Sequence, residues 1–570
     1  MSSGTLKGDG ESFTIMSLKD VNYHDLFVEY LVPGGPYATS DWHIRLLYKI
    51  SCLCLKPFFF VLDSLLSIFI RTTDESYHRN DSVSLLLISI KVLLLSVSLV
   101  CFLPLALFGF IIWLPLQLCR PRPYSYIGPT LNERHTSMSD KYERIQCGNI
   151  HPKSTSMSQP SPKSAAKTYS VITANICLMP EFIAHINNLT NTIIRGKQIS
   201  SYFSGDGVVS SVNKGKSPGE TSSKPSENNY LVSSWSADSI RTDGYEEIAG
   251  GSIDSNSVAS TLWSVSSKEC SVSDVLPTAS DFICLQEVFD SRATDKLLQG
   301  LKAKYPYIIY DVVWPIHNYR ITLLGSGLCI ASRYPFIDIE FKPFADGNRD
   351  DKLACKGILM TKVYLGHTED GDNLIGYLAT THLQAWSHSR ASSARCKQIN
   401  AMEGWIEEFQ QQSRKVHNNA TEKVLFNMVT GDFNFDKISH CDRNEQRCSV
   451  FQQFVDPCID EDGAQHSWVI GTELNQKKMH DERVRTPQGL QRMLISELER
   501  HQYVASTTPA RSTFQRVGDG KRRIDYILYK QCDNTTMVIK DYKFFTGLAT
   551  LTDHIPVGMM FSCDGTTTNQ

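Results

Sequence analysis

The sequence predicts a large α/β domain that follows two hydrophobic N-terminal segments. Four runs rich in β-branched and aromatic residues have the length of β-strands. They are residues 326–336, 374–383, 423–433 and 523–530. Residues 391–411 carry apolar side chains at three- and four-residue steps, which predicts a helix. Residues 92–118 contain no charged residue, which is typical of a segment in a membrane.

Changes of composition divide the chain into predicted regions. These are an N-terminal segment (1–45), a membrane-associated region (46–122), a flexible linker (123–167), the α/β domain (168–563) and a C-terminal tail (564–570). The linker is rich in Ser, Lys and Pro. Residues 199–274 are dominated by Ser, Gly, Asn and Asp, and we expect them to form a disordered insertion. Such a loop is tolerated because the cost of closing it rises slowly with its length.

The membrane-associated region contains two hydrophobic segments, at about 50–70 and 84–118. As a helix, the uncharged stretch would reach about 40 Å, against a hydrocarbon core of about 30 Å. Pro104, Gly109 and Pro115 are expected to interrupt it. A re-entrant hairpin or a helix in the membrane plane therefore stays open beside a crossing.

Basic residues lie on both sides of this region and favour a cytosolic position for both flanks. They include Arg45, Lys49, Arg120 and Arg122. Cys52, Cys54 and Cys119 lie beside the apolar segments, where S-acylation and a role as small apolar side chains both stay open. The other cysteines are scattered without the spacing of a disulfide scaffold, which indicates a reducing compartment.

Six segments of the α/β domain end an apolar run on polar residues that suit hydrolysis of a phosphodiester. The residues are Asn175, Glu287, His382, Asp432 with Asn434, Asp525, and Asp553 with His554. A phosphodiester repels nucleophiles, so its hydrolysis needs a cation and a base. Mg²⁺ prefers oxygen ligands such as Glu287 and the Asn175 amide. A histidine beside a carboxylate, such as His554 with Asp525, can remove a proton from water.

Each segment taken alone also has an ordinary structural interpretation. A carboxylate beside Gly431 after an apolar run is typical of a turn. A lone histidine in a strand, such as His382, is commonly a hydrogen-bonded structural residue. Glu287 differs, because an acid directly after FICLQ is an awkward end to a strand unless it binds something. The order of all six segments favours a site.

Three of the segments resemble the signature motifs of the endonuclease/exonuclease/phosphatase superfamily. They read LQE at 285–287, GDFN at 431–434 and TDHIP at 552–556, where Thr552 takes the place of the usual Ser and keeps a hydroxyl. The resemblance runs from about Tyr169 to Phe561. It implies a four-layer sandwich of two packed mixed β-sheets flanked by helices, with the active site at one end.

The whole chain resembles the neutral sphingomyelinases of the sphingomyelin phosphodiesterase 3 type. The two hydrophobic segments, the linker and the insertion after the first strand are similar, as are TANICLMPEFIAHINN, DFICLQEVFD and THLQAWS. A PAWCDR-type motif, expected of inositol polyphosphate 5-phosphatases, is replaced here by GKRRIDYILY. The DKLACKG segment supplies Asp351 and Lys356, which resemble the family's switch pair; two solvated loop charges are the alternative.

The resemblance implies Mg²⁺-dependent hydrolysis of sphingomyelin to ceramide and phosphocholine. Glu287 would hold the metal with Asn175 nearby, and His554 would activate water. The residues expected around the phosphoryl oxygens and the leaving group are His382, Asp432 and Asn434, while Asp553 would complete the metal or hydrogen-bond network. Two other classes stay open: another membrane-tethered enzyme of the superfamily, such as a phosphoinositide phosphatase or a nuclease, and a non-catalytic membrane scaffold.

The expected partners are the sphingomyelin substrate, the membrane, and anionic phospholipids as activators. The expected location is the cytosolic face of the Golgi or plasma membrane, and a homo-oligomer stays open. The formal net charge of −3 provides no global positive field for a polyanion. Nucleic acid is therefore not an expected partner.

Overall fold

The computed structural model describes most of the two apolar segments and of the α/β domain. The described residues are 37, 40–78, 82–128, 167–205, 271–277, 280–314, 316–317, 320–368, 372–416, 422–508, 518–533 and 535–564. The linker 129–166 and residues 206–270 of the expected insertion lie outside them, as does the tail from 565 onward.

Helices and strands are labelled in chain order. The α-helices are α1 (Trp42–Ser67), α2 (Thr73–His78), α3 (Ser82–Leu118), α4 (Glu181–Ile186), α5 (Thr192–Ser204), α6 (Ser291–Leu301), α7 (Ser389–Val416), α8 (Arg443–Gln446), α9 (Val450–Gln453), α10 (Pro487–Ile495) and α11 (Glu497–Tyr503). The strands are β1 (Ser125–Ile127), β2 (Lys167–Leu178), β3 (Val272–Ser273), β4 (Phe282–Val288), β5 (Tyr307–Tyr310), β6 (Ile316–His317), β7 (Arg320–Ile321), β8 (Cys329–Ser332), β9 (Phe336–Pro343), β10 (Gly357–His367), β11 (Asn373–His382), β12 (Glu422–Asp432), β13 (Asp525–Lys530), β14 (Thr536–Phe545) and β15 (Val557–Asp564). Short 3₁₀ turns lie at Arg349–Leu353, His440–Asp442, Gln476–Lys478, Glu482–Val484 and Ala549–Leu551.

The strands form two large mixed sheets. One has eight strands in the order β1-β5-β8-β4-β2-β15-β14-β3, and the other has five in the order β13-β12-β11-β10-β9. Strands β2 and β4 pair in parallel, as do β11 and β12, while their outer neighbours run antiparallel. All four strands expected from sequence are present with shifted ends.

The two sheets pack face to face through an aromatic core. Phe426 of β12 meets Phe282 of β4 and Phe561 of β15, with ring centroids 5.7 and 5.4 Å apart. Tyr169 of β2 lies 6.0 Å from the same ring. Aromatic pairs of this kind contribute about 0.5–1.5 kcal/mol each beyond the burial of their surface. This core fixes the positions of the strand ends that carry the site.

Helices cover the outer faces of both sheets. Leu297 and Leu301 of α6 are buried in one cluster with Ile283 and Leu285 of β4. On the other side, the predicted helix is present as α7, and its apolar face packs on the five-stranded sheet. Helix, sheet, sheet and helix therefore form four layers, which confirms the expected fold.

The two apolar segments form α1 and α3, each long and apolar enough to cross a membrane by length and composition. The interruption expected in the second segment is wrong, because α3 continues through Pro104 and Pro115. Gly109 has a packing role instead: a Cβ added there would lie 2.7 Å from Cβ of Cys54. The absence of a side chain lets α3 approach α1 closely.

The expected bounds of two regions, the linker and the insertion, need correction. Residues 125–127, expected in the linker, form β1 and pair with β5. Residues 199–204, expected in the insertion, belong to α5, where Ile199 and Phe203 are buried. Residues 272–273, also expected there, form β3 and pair with β14. Short edge strands with few apolar residues carry too weak a periodic signal to be found in a Ser-rich sequence.

The membrane-associated region contacts the α/β domain through polar side chains. Asp63 in α1 forms a 2.9 Å ion pair with Arg292 and accepts a hydrogen bond from the Phe182 backbone N–H. After α3, Arg120 pairs with Asp311 at 3.1 Å. Asp63 is therefore a docking residue, which explains a charge within an apolar segment.

Candidate active site

The five-stranded sheet brings three of the predicted residues together at one end. Strands β11 and β12 are parallel and end on His382 and Asp432, which are directly paired. Strand β13 is antiparallel to β12 and begins with Asp525, opposite Asp432. Ends of parallel strands and the start of an antiparallel one meet at the same edge, so the three side chains are neighbours.

The eight-stranded sheet supplies the rest of the site from the facing layer. Asn175 lies near the end of β2 and pairs with Gln286 of the neighbouring strand β4. Glu287 is the next residue of β4. Glu287 has a φ of 61°. A non-glycine residue in this left-handed region is strained, and such strain is found at functional sites. Asp553 and His554 lie four and three residues before the start of β15.

Asp432 is the central carboxylate. Its Oδ2 accepts a 3.0 Å hydrogen bond from Nδ2 of Asn175, and its Oδ1 accepts one from the Asn434 backbone N–H at 2.9 Å. The Nε2 atoms of His382 and His554 lie 3.5 and 3.9 Å from Oδ2. Burial raises the pKa of Asp432 to about 7, although the charge of His554 opposes this. Asp432 therefore links the two histidines.

His554 and Asp525 form the predicted acid–base pair. Nδ1 of His554 lies 2.9 Å from Oδ2 of Asp525, and both residues are buried. Burial disfavours the charged imidazolium, but Asp525 and Asp432 outweigh it and raise the pKa of His554 well above its usual value. A hydrogen bond to Nδ1 leaves Nε2 free to exchange a proton.

Lys356 joins His382 to Asp351. Its Nζ lies 3.0 Å from Nε2 of His382 and 2.9 Å from Oδ1 of Asp351. It also donates to the Leu383 carbonyl at 2.9 Å. Burial and the Lys356 charge lower the pKa of His382, so this imidazole is neutral near pH 7. The Lys356 side chain is 7% exposed and the Asp351 side chain 12% exposed, so this ion pair is largely removed from water.

Several carboxylate oxygens in the site suit a cation. Within the described residues, Oε2 of Glu287 and Oδ1 of Asp553 are buried without a hydrogen-bond partner. Burial and the nearby Asp553 charge raise the pKa of Glu287. Glu287, His382 and Asp432 also place ligand atoms within 4.8 Å of one another. Unpartnered, mutually repelling oxygen donors are stabilised by a divalent cation, so this donor set fits one.

The Asn175 amide is oriented by its neighbours. Its Oδ1 accepts a 3.2 Å hydrogen bond from the Cys177 backbone N–H, and its Nδ2 donates a hydrogen bond to Oδ2 of Asp432. The carbonyl oxygen has a second lone pair that is compatible with a metal. The Thr552 hydroxyl donates to the backbone carbonyl oxygen of Asn175 at 2.7 Å, so the hydroxyl kept in the TDHIP motif joins β2 to the His554 segment.

Every residue predicted for the site lies in this cluster or on its edge. Asn434 donates from its amide to the Leu383 carbonyl at 3.1 Å and positions a neighbouring loop. Asp553 accepts from Nε2 of Gln476 at 3.2 Å.

Sequence reasoning missed two glutamines. Gln384 is the last residue of the THLQ run and donates to Asp351 at 2.7 Å, so its place in that run was an available signal. Gln476, the partner of Asp553, lies in a 3₁₀ turn without a recognisable motif.

A family model described as endonuclease/exonuclease/phosphatase family matches residues 262–554. Together with the site, this match defines a phosphodiester hydrolase. A second model, described as the neutral sphingomyelinase N-terminal transmembrane region, matches residues 43–119. The region that contains α1 and α3 is thus membrane-associated.

Full-length relatives support a narrower assignment. Sphingomyelin phosphodiesterase 5 of Danio rerio is 34% identical over 550 residues, covering 90% of this chain and 96% of that protein. Sphingomyelin phosphodiesterase 3 of Homo sapiens is 30% identical over 650 residues, with the same coverage of 90% and 96%. The chain belongs to the neutral sphingomyelinase family. A crystal structure of beta toxin from Staphylococcus aureus aligns with 15% identity over 69% of this chain and 99% of that chain, at a TM-score of 0.35.

Proposed function

We propose that this protein hydrolyses sphingomyelin to ceramide and phosphocholine. The observation that carries the proposal is the buried pair of His554 and Asp525 beside Asp432, in a member of a family whose relatives are named sphingomyelin phosphodiesterases. Hydrolysis of a lipid phosphodiester requires a base for the attacking water and acidic groups that can hold a cation. It also requires access to the membrane, which the membrane-associated region provides.

We propose Glu287 and Asn175 as the residues that hold Mg²⁺, with Asp553 completing the surrounding network. The unpartnered oxygens of Glu287 and Asp553 support this assignment. When bound, the ion would neutralise negative charge on the phosphoryl oxygens.

We assign proton transfer, charge stabilisation and positioning to side chains of the protein itself. His554 accepts a proton from the attacking water at Nε2, while Asp525 holds Nδ1 and stabilises the imidazolium that forms. Lys356 carries a positive charge beside His382, where it can stabilise the phosphoryl oxygens or the leaving group. Asp351 positions Lys356 through their 2.9 Å ion pair. Asp432 and Asn434 fix the geometry between these groups.

The proposed location is the cytosolic face of the Golgi or plasma membrane. The basic flanks of the membrane-associated region, including Arg45 and Arg120, favour the cytosolic side and contact with anionic phospholipids as activators. Cys52, Cys54 and Cys119 are free thiols, and Cys119 is exposed at the end of α3, which leaves it accessible for acylation.

The test is turnover by the purified full-length protein on sphingomyelin, an inositol phosphate and abasic DNA, with Mg²⁺ and with excess chelator. We expect Mg²⁺-dependent release of phosphocholine from sphingomyelin alone. His554→Asn should abolish it, while His501→Asn, a control at an exposed position of α11, should not. Preferred turnover of either other substrate would replace the proposal with a different enzyme of the superfamily. Folded protein inactive on all three would favour a scaffold.

A further inference from the structure

Three large apolar side chains are exposed together beside the active site. Leu353 is 46% exposed, Trp386 is 50% exposed and Leu323 is 73% exposed. Leu353 ends the 3₁₀ turn Arg349–Leu353, and its carbonyl accepts a 2.8 Å hydrogen bond from the Leu323 backbone N–H. Exposed apolar side chains that cluster mark a surface for a partner. We call these three residues the entrance surface.

The entrance surface is attached directly to catalytic side chains. Asp351, in the same turn as Leu353, forms the 2.9 Å ion pair with Lys356. The Ala385 backbone N–H donates to Asp351 at 2.6 Å, and Trp386 follows Ala385 in the chain. Nε1 of Trp386 donates to Asp350 at 3.1 Å, which joins the indole to the same turn. Whatever contacts this surface therefore lies at the edge of the site.

The surface is also continuous with the end of the membrane-associated region. Arg120, two residues after α3, pairs with Asp311 at 3.1 Å. The Val313 backbone N–H donates to the Pro123 carbonyl at 2.8 Å. The Ser326 backbone N–H donates to the Val312 carbonyl at 2.7 Å, so the segment that carries Leu323 lies beside the contacts that follow α3. A bilayer that contains α3 would therefore lie next to the entrance surface.

Charge around the surface suits lipid headgroups. Arg349 and Lys352 are exposed on the turn, and the Arg349 guanidinium lies 5.5 Å from the Trp386 ring centroid. Of the two acids of the turn, Asp351 is paired with Lys356, whereas Asp350 is exposed and accepts a hydrogen bond from the neutral Trp386 indole. Basic residues beside exposed tryptophan and leucine are typical of surfaces that enter the interfacial layer of a bilayer.

We propose that the entrance surface inserts into the lipid bilayer and holds the opening of the active site against it. The inference rests on the proposed function, because a lipid substrate must leave the bilayer to reach Lys356 and His554. Leucine and tryptophan side chains enter the apolar boundary, while Arg349 and Lys352 meet anionic headgroups. Helices α1 and α3 then anchor the protein in the membrane, and the entrance surface orients the opening of the active site towards the bilayer.

The first test measures phosphocholine release by the full-length protein from two forms of sphingomyelin. One is vesicles that also contain phosphatidylcholine and phosphatidylserine, and the other is lipid dispersed in detergent. We expect Leu353→Asp and Leu323→Asp to lower turnover on vesicles about tenfold or more, because burial of a leucine is lost, and to leave turnover in detergent nearly unchanged. Leu498→Asp is the matched control: Leu498 is 82% exposed on α11, which contributes nothing to the surface.

A second readout is independent of catalysis. Brominated lipids quench the fluorescence of tryptophans that enter the bilayer, so Trp386→Phe should lose part of the quenching that the wild type shows. Trp468→Phe, which removes a tryptophan packed on the core, should lose none. Equal quenching for Trp386→Phe and wild type, or an equal loss of turnover on both substrate forms for Leu353→Asp, would overturn the inference. A wild type inactive on both forms would refute the proposed function, while quenching would still test the surface.

Discussion

Replacement of Asp525 by Asn tests the proposed base most directly. The change keeps the shape of the side chain and removes the charge that faces Nδ1 of His554 at 2.9 Å. Asp525 is completely buried, so water does not replace the lost charge. The imidazolium that forms when His554 takes a proton then lacks its main counter-charge.

The expected loss follows from the strength of this contact. A hydrogen bond to a charged group contributes about 1.5–3 kcal/mol. If that amount stabilises the imidazolium in the transition state, kcat should fall about 10- to 150-fold. Folding should change little, because the replacement is isosteric.

The variant should also shift the pH dependence of turnover. Burial opposes the charge on His554, but Asp525 and Asp432 raise its pKa, and a base must be neutral to accept a proton. Turnover therefore rises with pH as His554 deprotonates, and removal of the Asp525 charge should move this limb to lower pH. Steady-state kinetics from pH 5 to 9 provide the measurement.

Asp541→Asn is the matched control, since Asp541 pairs with Lys543 on β14 and not with a histidine. The reasoning is refuted if folded Asp525→Asn keeps kcat within about threefold of the wild type, or if its acidic limb stays in place.

Three further predictions concern other contacts. Lys356→Ala should lower kcat about a hundredfold without weakening metal binding measured by calorimetry, because the variant removes a buried positive charge near the phosphoryl group; unchanged kcat would return Lys356 to a structural role. Asp63→Asn should weaken the docking of α1 by about 2 kcal/mol, seen as faster proteolysis after α3, whereas Asp74→Asn, in an exposed ion pair, should have little effect; equal effects would contradict the docking role. Burial opposes ionisation of Glu181, but hydrogen bonds from His185 and the Thr192 backbone lower its pKa to about 2. At a pH above the unfolded pKa of about 4.5, ionised Glu181 stabilises the fold, and this contribution is lost as the pH falls towards 2. Glu181→Gln should therefore be less stable than the wild type at pH 7. At pH 2 the two proteins should have nearly equal free energies of unfolding, as measured by urea titration.

Much of the site could be predicted because its residues follow strand patterns within short segments. Asp432 and Glu287 stand at the ends of apolar runs, where the period of the strand and the chemistry of the side chain are both local features. The partner of His554 was predicted from chemistry, and the structure places Asp525 2.9 Å from it. The contact of Gln476 with Asp553 depends on a 3₁₀ turn far away in sequence, so no local pattern indicates it.

The apolar segments show the same limit. Hydropathy identifies α1 and α3, but the interruption expected at Pro104 and Gly109 is wrong, because the effect of these residues depends on the groups around them. A proline within a long apolar helix is tolerated where surrounding groups compensate, and Gly109 is needed for close contact with α1. The charge of Asp63 likewise becomes understandable once Arg292 is found beside it.

The sequence by itself determined the class of fold, the two apolar helices and the residue types of the site, because periodicity and motif chemistry are properties of short stretches of chain. Tertiary structure alone decided which of these residues touch, how deeply they are buried and where α3 ends relative to the active site. Register and sheet packing join residues hundreds of positions apart, as Asn175 and Asp432 are joined by one hydrogen bond. Burial then raises the pKa of Asp432, since removal from water disfavours its charged form.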